Sequence, residues 1–90
     1  MNLDDFKKEF SHVYEWSDIP NTEYPEHFHK GKVSMYIVQG RVTFFFPENK
    51  EIKTITTGER FDVPVGVAHT AKVGEEGCDY IVGEMIEGDS

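Results

Sequence analysis

Two short stretches of this chain carry residue types able to hold a metal. His27-Phe28-His29 sets two imidazoles two positions apart, and Gly58-Glu59-Arg60-Phe61-Asp62-Val63-Pro64-Val65-Gly66-Val67-Ala68-His69 brings a third behind a Pro-x-Gly corner. Side chains two apart in an extended strand share a face, so His27 and His29 converge while Phe28 points away. Proline fixes φ and glycine tolerates a tight turn, so Pro64 and Gly66 set where the strand carrying His69 begins. Three histidines meeting inside a small β structure form a neutral nitrogen donor set. Such a set holds Zn2+ with an open position and draws the pKa of bound water toward neutrality.

The elements that must position these groups read as mostly β. Leu3, Phe6 and Phe10 have helical spacing behind Asn2, a residue suited to capping, which predicts a short N-terminal helix. From Val13 onward the pattern shifts to short runs rich in branched and aromatic residues. The runs are Val13 to Trp16, Glu23 to Phe28, Val33 to Gln39, Arg41 to Phe46, Glu51 to Ile55, Arg60 to Val63, Ala68 to Val73 and Asp79 to Met85, about eight strands in all. Pro47-Glu48-Asn49-Lys50 reads as a hairpin loop, Gly74-Glu75-Glu76-Gly77 as a polar turn, and Gly40 as a bulge or sharp bend. With no helices between the strands there is no room for βαβ crossovers, so an antiparallel sandwich or jelly-roll barrel enclosing a small pocket is expected.

Composition narrows the function classes. Ninety residues, 38% of them hydrophobic, fit one domain over 1–90 with a core at about 13–85. The formal charge of −8 has the wrong sign for following a phosphate backbone, so nucleic acid is not an expected partner. A single cysteine, Cys78, permits neither an internal disulfide nor a thiolate zinc cluster. The start, MNLDDFKKEF, has no apolar signal-peptide core, and no stretch is long and apolar enough to span a membrane. A cytoplasmic location is the expectation. Lys30 and Lys32, close behind the histidine pair, blunt an exposed loop or edge strand, or draw anionic substrates to a site mouth.

The histidine spacing also carries a family resemblance. His27-x-His29 followed by Gly40 resembles the first cupin motif, and Gly58-x5-Pro64-x-Gly66-x2-His69 matches the core of the second. The resemblance runs from about Tyr14 to Gly83. It implies a small single-domain cupin, a double-stranded β-helix with one metal in its mouth held by His27, His29 and His69, and it implies a homodimer. The chain departs from the pattern at two places. The usual glutamate ligand position is Val33, followed by Ser34, and the asparagine that often closes the second motif is Val73. The two-histidine, one-carboxylate triad typical of non-haem iron is therefore not assembled from its standard positions. In its three-histidine set the chain is also similar to some cupin-type thiol dioxygenases.

No substitute for that carboxylate emerges. Glu23 shares the period-two face of His27 but sits roughly 13 Å along the strand, and Met35, on the face of Val33, reads as packing. His12 reads as a surface residue and Cys78 as buried and structural. Phe44-Phe45-Phe46 reads as a strand filling both faces, Tyr14 and Trp16 as packing outside the sheet or in a dimer contact, and Tyr36 and Tyr80 as either cavity lining or sheet filling. Two functional readings stay open: a cupin holding Zn, Fe, Ni, Mn or Cu and acting on or binding a small molecule, or a non-catalytic cupin with a degenerate metal site that serves as a ligand-binding or interaction module. A purely structural β-domain is the third, and it leaves three convergent imidazoles without a use.

Overall fold

The computed structural model describes residues 3–85, and the proposed cap at Asn2 lies outside them. One helix, α1 (Leu3–Lys7), precedes six strands: β1 (His12–Asp18), β2 (Glu23–His27), β3 (Val33–Phe46), β4 (Glu51–Thr56), β5 (Arg60–Val63) and β6 (His69–Glu84). All pairings are antiparallel.

The eight expected strand runs are present, but four of them are joined into two long strands. The first half of β3 pairs β5 and its second half pairs β4. In the same way the first part of β6 pairs β2 and its later part pairs β1. Because β3 and β6 also pair each other along most of their lengths, they form the spine of two four-stranded sheets, β1-β6-β3-β5 and β2-β6-β3-β4. That is a jelly roll in which two strands bend from one sheet into the other.

The bends sit at glycines. Gly40 has φ +100°, and a side chain there would collide with the Gly77 carbonyl of the neighbouring strand. The pairing skips across this point: Gly40 faces Cys78, whereas Val42 faces Val73. Residues 74–77 are thus set against Arg41 alone. The segment Gly74-Glu75-Glu76-Gly77, expected as a polar turn between two strands, is instead a wide bulge inside β6, because β3 stays paired on both sides of it. The Pro47–Lys50 hairpin loop is as expected, with Asn49 Oδ1 accepting from the Glu51 amide at 3.0 Å.

The alternating faces of β6 build two apolar clusters. Tyr80, Val82, Val73 and Ala71 belong to the barrel core with Ile37, Val42 and Phe44. Ile81 faces the other way and packs with Phe6 and Phe10. Gly83 makes room for those rings, since a Cβ there would strike both. Arg60 locks the helix end, donating to the Glu9 carboxylate at 2.7 and 3.0 Å and to Asp62 at 2.9 Å, with its guanidinium 5.0 Å from the centre of the Phe6 ring.

Candidate metal centre and cavity

The two motifs meet through pairing of their strands. His27, the last residue of β2, is the registered antiparallel partner of His69, the first residue of β6. Side chains of directly opposed residues share a face, which brings the two rings to 4.5 Å between centroids. His29 lies beyond the end of β2 and not within a continuous strand, but it arrives at the same place. Its carbonyl accepts the Gly66 amide at 2.9 Å, so the Pro-x-Gly corner of one motif anchors the backbone of the other. The His29 ring lies 5.0 Å from that of His27 and 5.3 Å from that of His69.

One ligand-capable atom from each of the three residues lies within 4.8 Å of the others. Nitrogens around a tetrahedral zinc ion sit about 3.4 Å apart, as follows from Zn–N bonds of about 2.1 Å, so small ring rotations close the set. The protonation pattern suits that use. His27 Nδ1 lies 2.7 Å from the Pro25 carbonyl and His69 Nδ1 lies 3.0 Å from that of Val67. A carbonyl only accepts, so each Nδ1 carries the proton and, in the neutral ring, each Nε2 keeps its lone pair. Burial, followed by the neighbouring His27 and His69, holds the His29 imidazole below its usual pKa, which favours the neutral, metal-binding form. His69 is almost fully enclosed, flanked by the rings of Phe44 and Phe46, each at 5.8 Å.

The histidines open into a cavity of about 420 Å3 walled by apolar side chains such as Val33, Met35, Val42, Phe44 and Val82. Several residues take roles different from those expected. Tyr14 and Trp16 line the cavity instead of packing outside the barrel, and Tyr80 joins them, whereas Tyr36 packs on the helix side. Glu23 does not share the face of His27: pairing shifts between Tyr24 and His27, so Tyr24 lines the cavity and Glu23 is exposed. His12 is exposed and Cys78 is buried, as expected, and burial pushes the Cys78 thiol up in pKa.

Two carboxylates that sequence reasoning did not select also face inward. Glu84 is the registered partner of Val33, so a carboxylate stands one strand over from the position where the resemblance leads one to seek it. It accepts from Tyr14 Oη at 2.7 Å and is not among the groups clustered within 4.8 Å. Asp18 accepts from Trp16 Nε1 at 3.0 Å, from Tyr80 Oη at 2.9 Å and from Tyr24 Oη. Burial, reinforced by the Glu84 bond, pushes the Tyr14 phenol up to about 12, and burial also raises Tyr24 and Tyr80, so all three phenols stay protonated donors at neutral pH.

No protein-family model and no curated protein matches the sequence. Solved structures do match. An RmlC-like cupin from Shewanella frigidimarina is 24% identical with a TM-score of 0.67, over 86% of this chain and 68% of that one. The chain has the cupin fold. A cupin domain of Schizosaccharomyces pombe Cnp3 gives a TM-score of 0.71 at 18% identity, covering 84% of this chain and 52% of that one. The polyketide cyclase RemF of Streptomyces resistomycificus gives 0.68 at 24% identity, covering 80% of this chain and 52% of that one. This cupin barrel thus spans about half the length of two of these relatives. At such identities the likeness is one of fold, and chemistry has to be argued from the site.

Proposed function

We propose that this cupin binds a divalent metal through His27, His29 and His69 and uses the adjoining cavity to bind or transform a small molecule. The observation that carries the reading is the convergence of three imidazoles, two of them with Nδ1 fixed by a backbone carbonyl. A metal held there would supply Lewis acidity undiminished by an anionic ligand. The protein's own part is to hold the imidazoles in one tautomer and to wall the ion with apolar side chains that limit water. A donor set of three nitrogens suits Zn, Fe, Ni and Cu better than Mn, which prefers oxygen ligands. An oxalate decarboxylase of Bacillus subtilis with Mn(II) centres has the same fold at 20% identity and a TM-score of 0.70.

The test is metal content per chain by elemental mass spectrometry on tag-free protein, beside His69→Ala and the less buried His29→Gln. About one equivalent in the parent and loss from both variants is the expected result. If the parent takes up nothing after incubation with Zn2+, Ni2+ and Fe2+, the metal reading falls. The alternative, a barrel used for binding alone, then applies.

A further inference from the structure

The carboxylates on the two sides of the barrel wall are treated differently. Glu9 and Asp62, near the helix, are both bonded to Arg60. Among the described residues no lysine or arginine lines the cavity. Asp18 receives three hydrogen bonds there, all from uncharged donors and none from a cationic side chain. Those donors are aromatic, so Asp18 is ringed by Trp16, Tyr24 and Tyr80. A carboxylate beside aromatic side chains on the wall of a largely apolar cavity is the chemistry that recognises an organic cation, since the carboxylate attracts positive charge while the apolar and aromatic wall covers its methylene or methyl groups.

The position of this group separates it from Glu84. Asp18 is paired with Cys78, whereas Glu84 is six residues further along β6, about 20 Å of extended strand. Glu84 is the carboxylate whose charge reaches His29. The cavity therefore has a nitrogen-rich end with Glu84 and an aromatic end with Asp18. Trp16 is half exposed and lies where the aromatic end meets solvent.

We propose that the aromatic end of the cavity binds the ammonium group of a small organic cation, seated against Asp18 between Trp16, Tyr24 and Tyr80. The inference deepens the proposed function by naming the ligand class, and it rests on the cavity being the ligand site. The anionic compounds that a metal alone would attract are disfavoured at this end. A ligand spanning the cavity carries its cation at Asp18 and turns its other end toward the histidines.

The test compares three probes of similar size and shape: choline, its neutral carbon isostere with a tert-butyl group in place of trimethylammonium, and the carboxylate of that isostere, which carries an anion at the hydroxyl end. Binding is measured by calorimetry on metal-loaded protein and on the same protein after chelation. Choline is expected to bind about tenfold more tightly than the neutral isostere, and the carboxylate to bind most weakly to chelated protein. Asp18→Asn should bring choline and the isostere within about twofold while the isostere keeps its parental affinity, which shows that the cavity is intact. Trp16→Leu should also shrink the ratio, and Glu84→Gln should leave it unchanged. Equal affinities in the parent, or a ratio untouched by Asp18→Asn, would overturn the proposal, and a ratio lost only in Glu84→Gln would move the cation to the other end. Because the charge preference is read without metal, its failure is distinct from a failure of the histidine assignment, which metal content decides.

Discussion

The two faces of β6 use the same strand to different ends. On the helix side, Ile81 and Gly83 receive the rings of Phe6 and Phe10, and the nearby charges are closed into an ionic clip by Arg60. On the cavity side, Tyr80, Val82 and Glu84 look inward on space, and the polar groups there are bonded to neutral donors or have nitrogens left open. Apolar filling and neutralised charge make a face that stabilises. A void lined by uncompensated carboxylates and convergent imidazoles makes a face that costs stability and is arranged to bind.

The comparison can be broken most forcefully at Phe6, a fully buried ring on the helix side. Phe6→Ala should cost about 3–5 kcal/mol in chemical denaturation, yet in the protein that remains folded the metal content should match the parent. A loss of metal in parallel would mean that the faces are coupled. Next in size is the histidine end, where His27→Ala should weaken metal binding by about a hundredfold or more, read by competition with a chromogenic chelator, while metal-free stability changes little.

Arg60→Met tests the clip. It removes the bonds to Glu9 and Asp62 but keeps an apolar stem over Phe6, and because the ion pairs are solvent-screened the expected loss is about 1 kcal/mol in urea melts. A loss several times larger would make the clip, and not the ring packing, the main tether of α1.

The smallest expected effect is in pH. Burial lowers the His29 pKa below its ordinary value, so between the folded and unfolded values the unfolded chain binds more protons than the native one. Stability of metal-free protein should therefore rise with pH through that window and fall as pH drops below about 6.5. His29→Gln should flatten this part of the profile. Asp62 adds a separate step at lower pH. The hydrogen bond from Ser34, followed by that from Arg60, depresses its pKa, so its contribution is present above the ordinary carboxylate range and lost as pH falls through the folded value. A profile in which His29→Gln changes nothing would mean that the ring is no more buried than a surface histidine.

Much of the site was legible because histidines, proline and glycine carry their chemistry and backbone limits with them. His27, His29 and His69 come together as the resemblance to the two cupin motifs implied, and a short helix stands at Leu3–Lys7, with Phe10 just beyond its end. The period-two rule that set Glu23 beside His27 failed, because an irregularity between Tyr24 and His27 shifts which side chains turn inward. Glycines around residues 74–77 read as a polar turn between strands, and only the pairing of β3 on both sides of them makes the segment a bulge.

The sequence by itself pointed to the fold class and the N-terminal helix through local patterns, and to the three candidate ligands through the chemistry of histidine and the resemblance to two cupin motifs. Tertiary structure alone decided that Tyr14, Trp16 and Tyr80 face the cavity, that Asp18 is ringed by aromatic donors and that Glu84 stands opposite Val33. Those facts follow from register between strands far apart in the chain. A shift of one residue would turn every one of those side chains to the other face, and no local pattern specifies it.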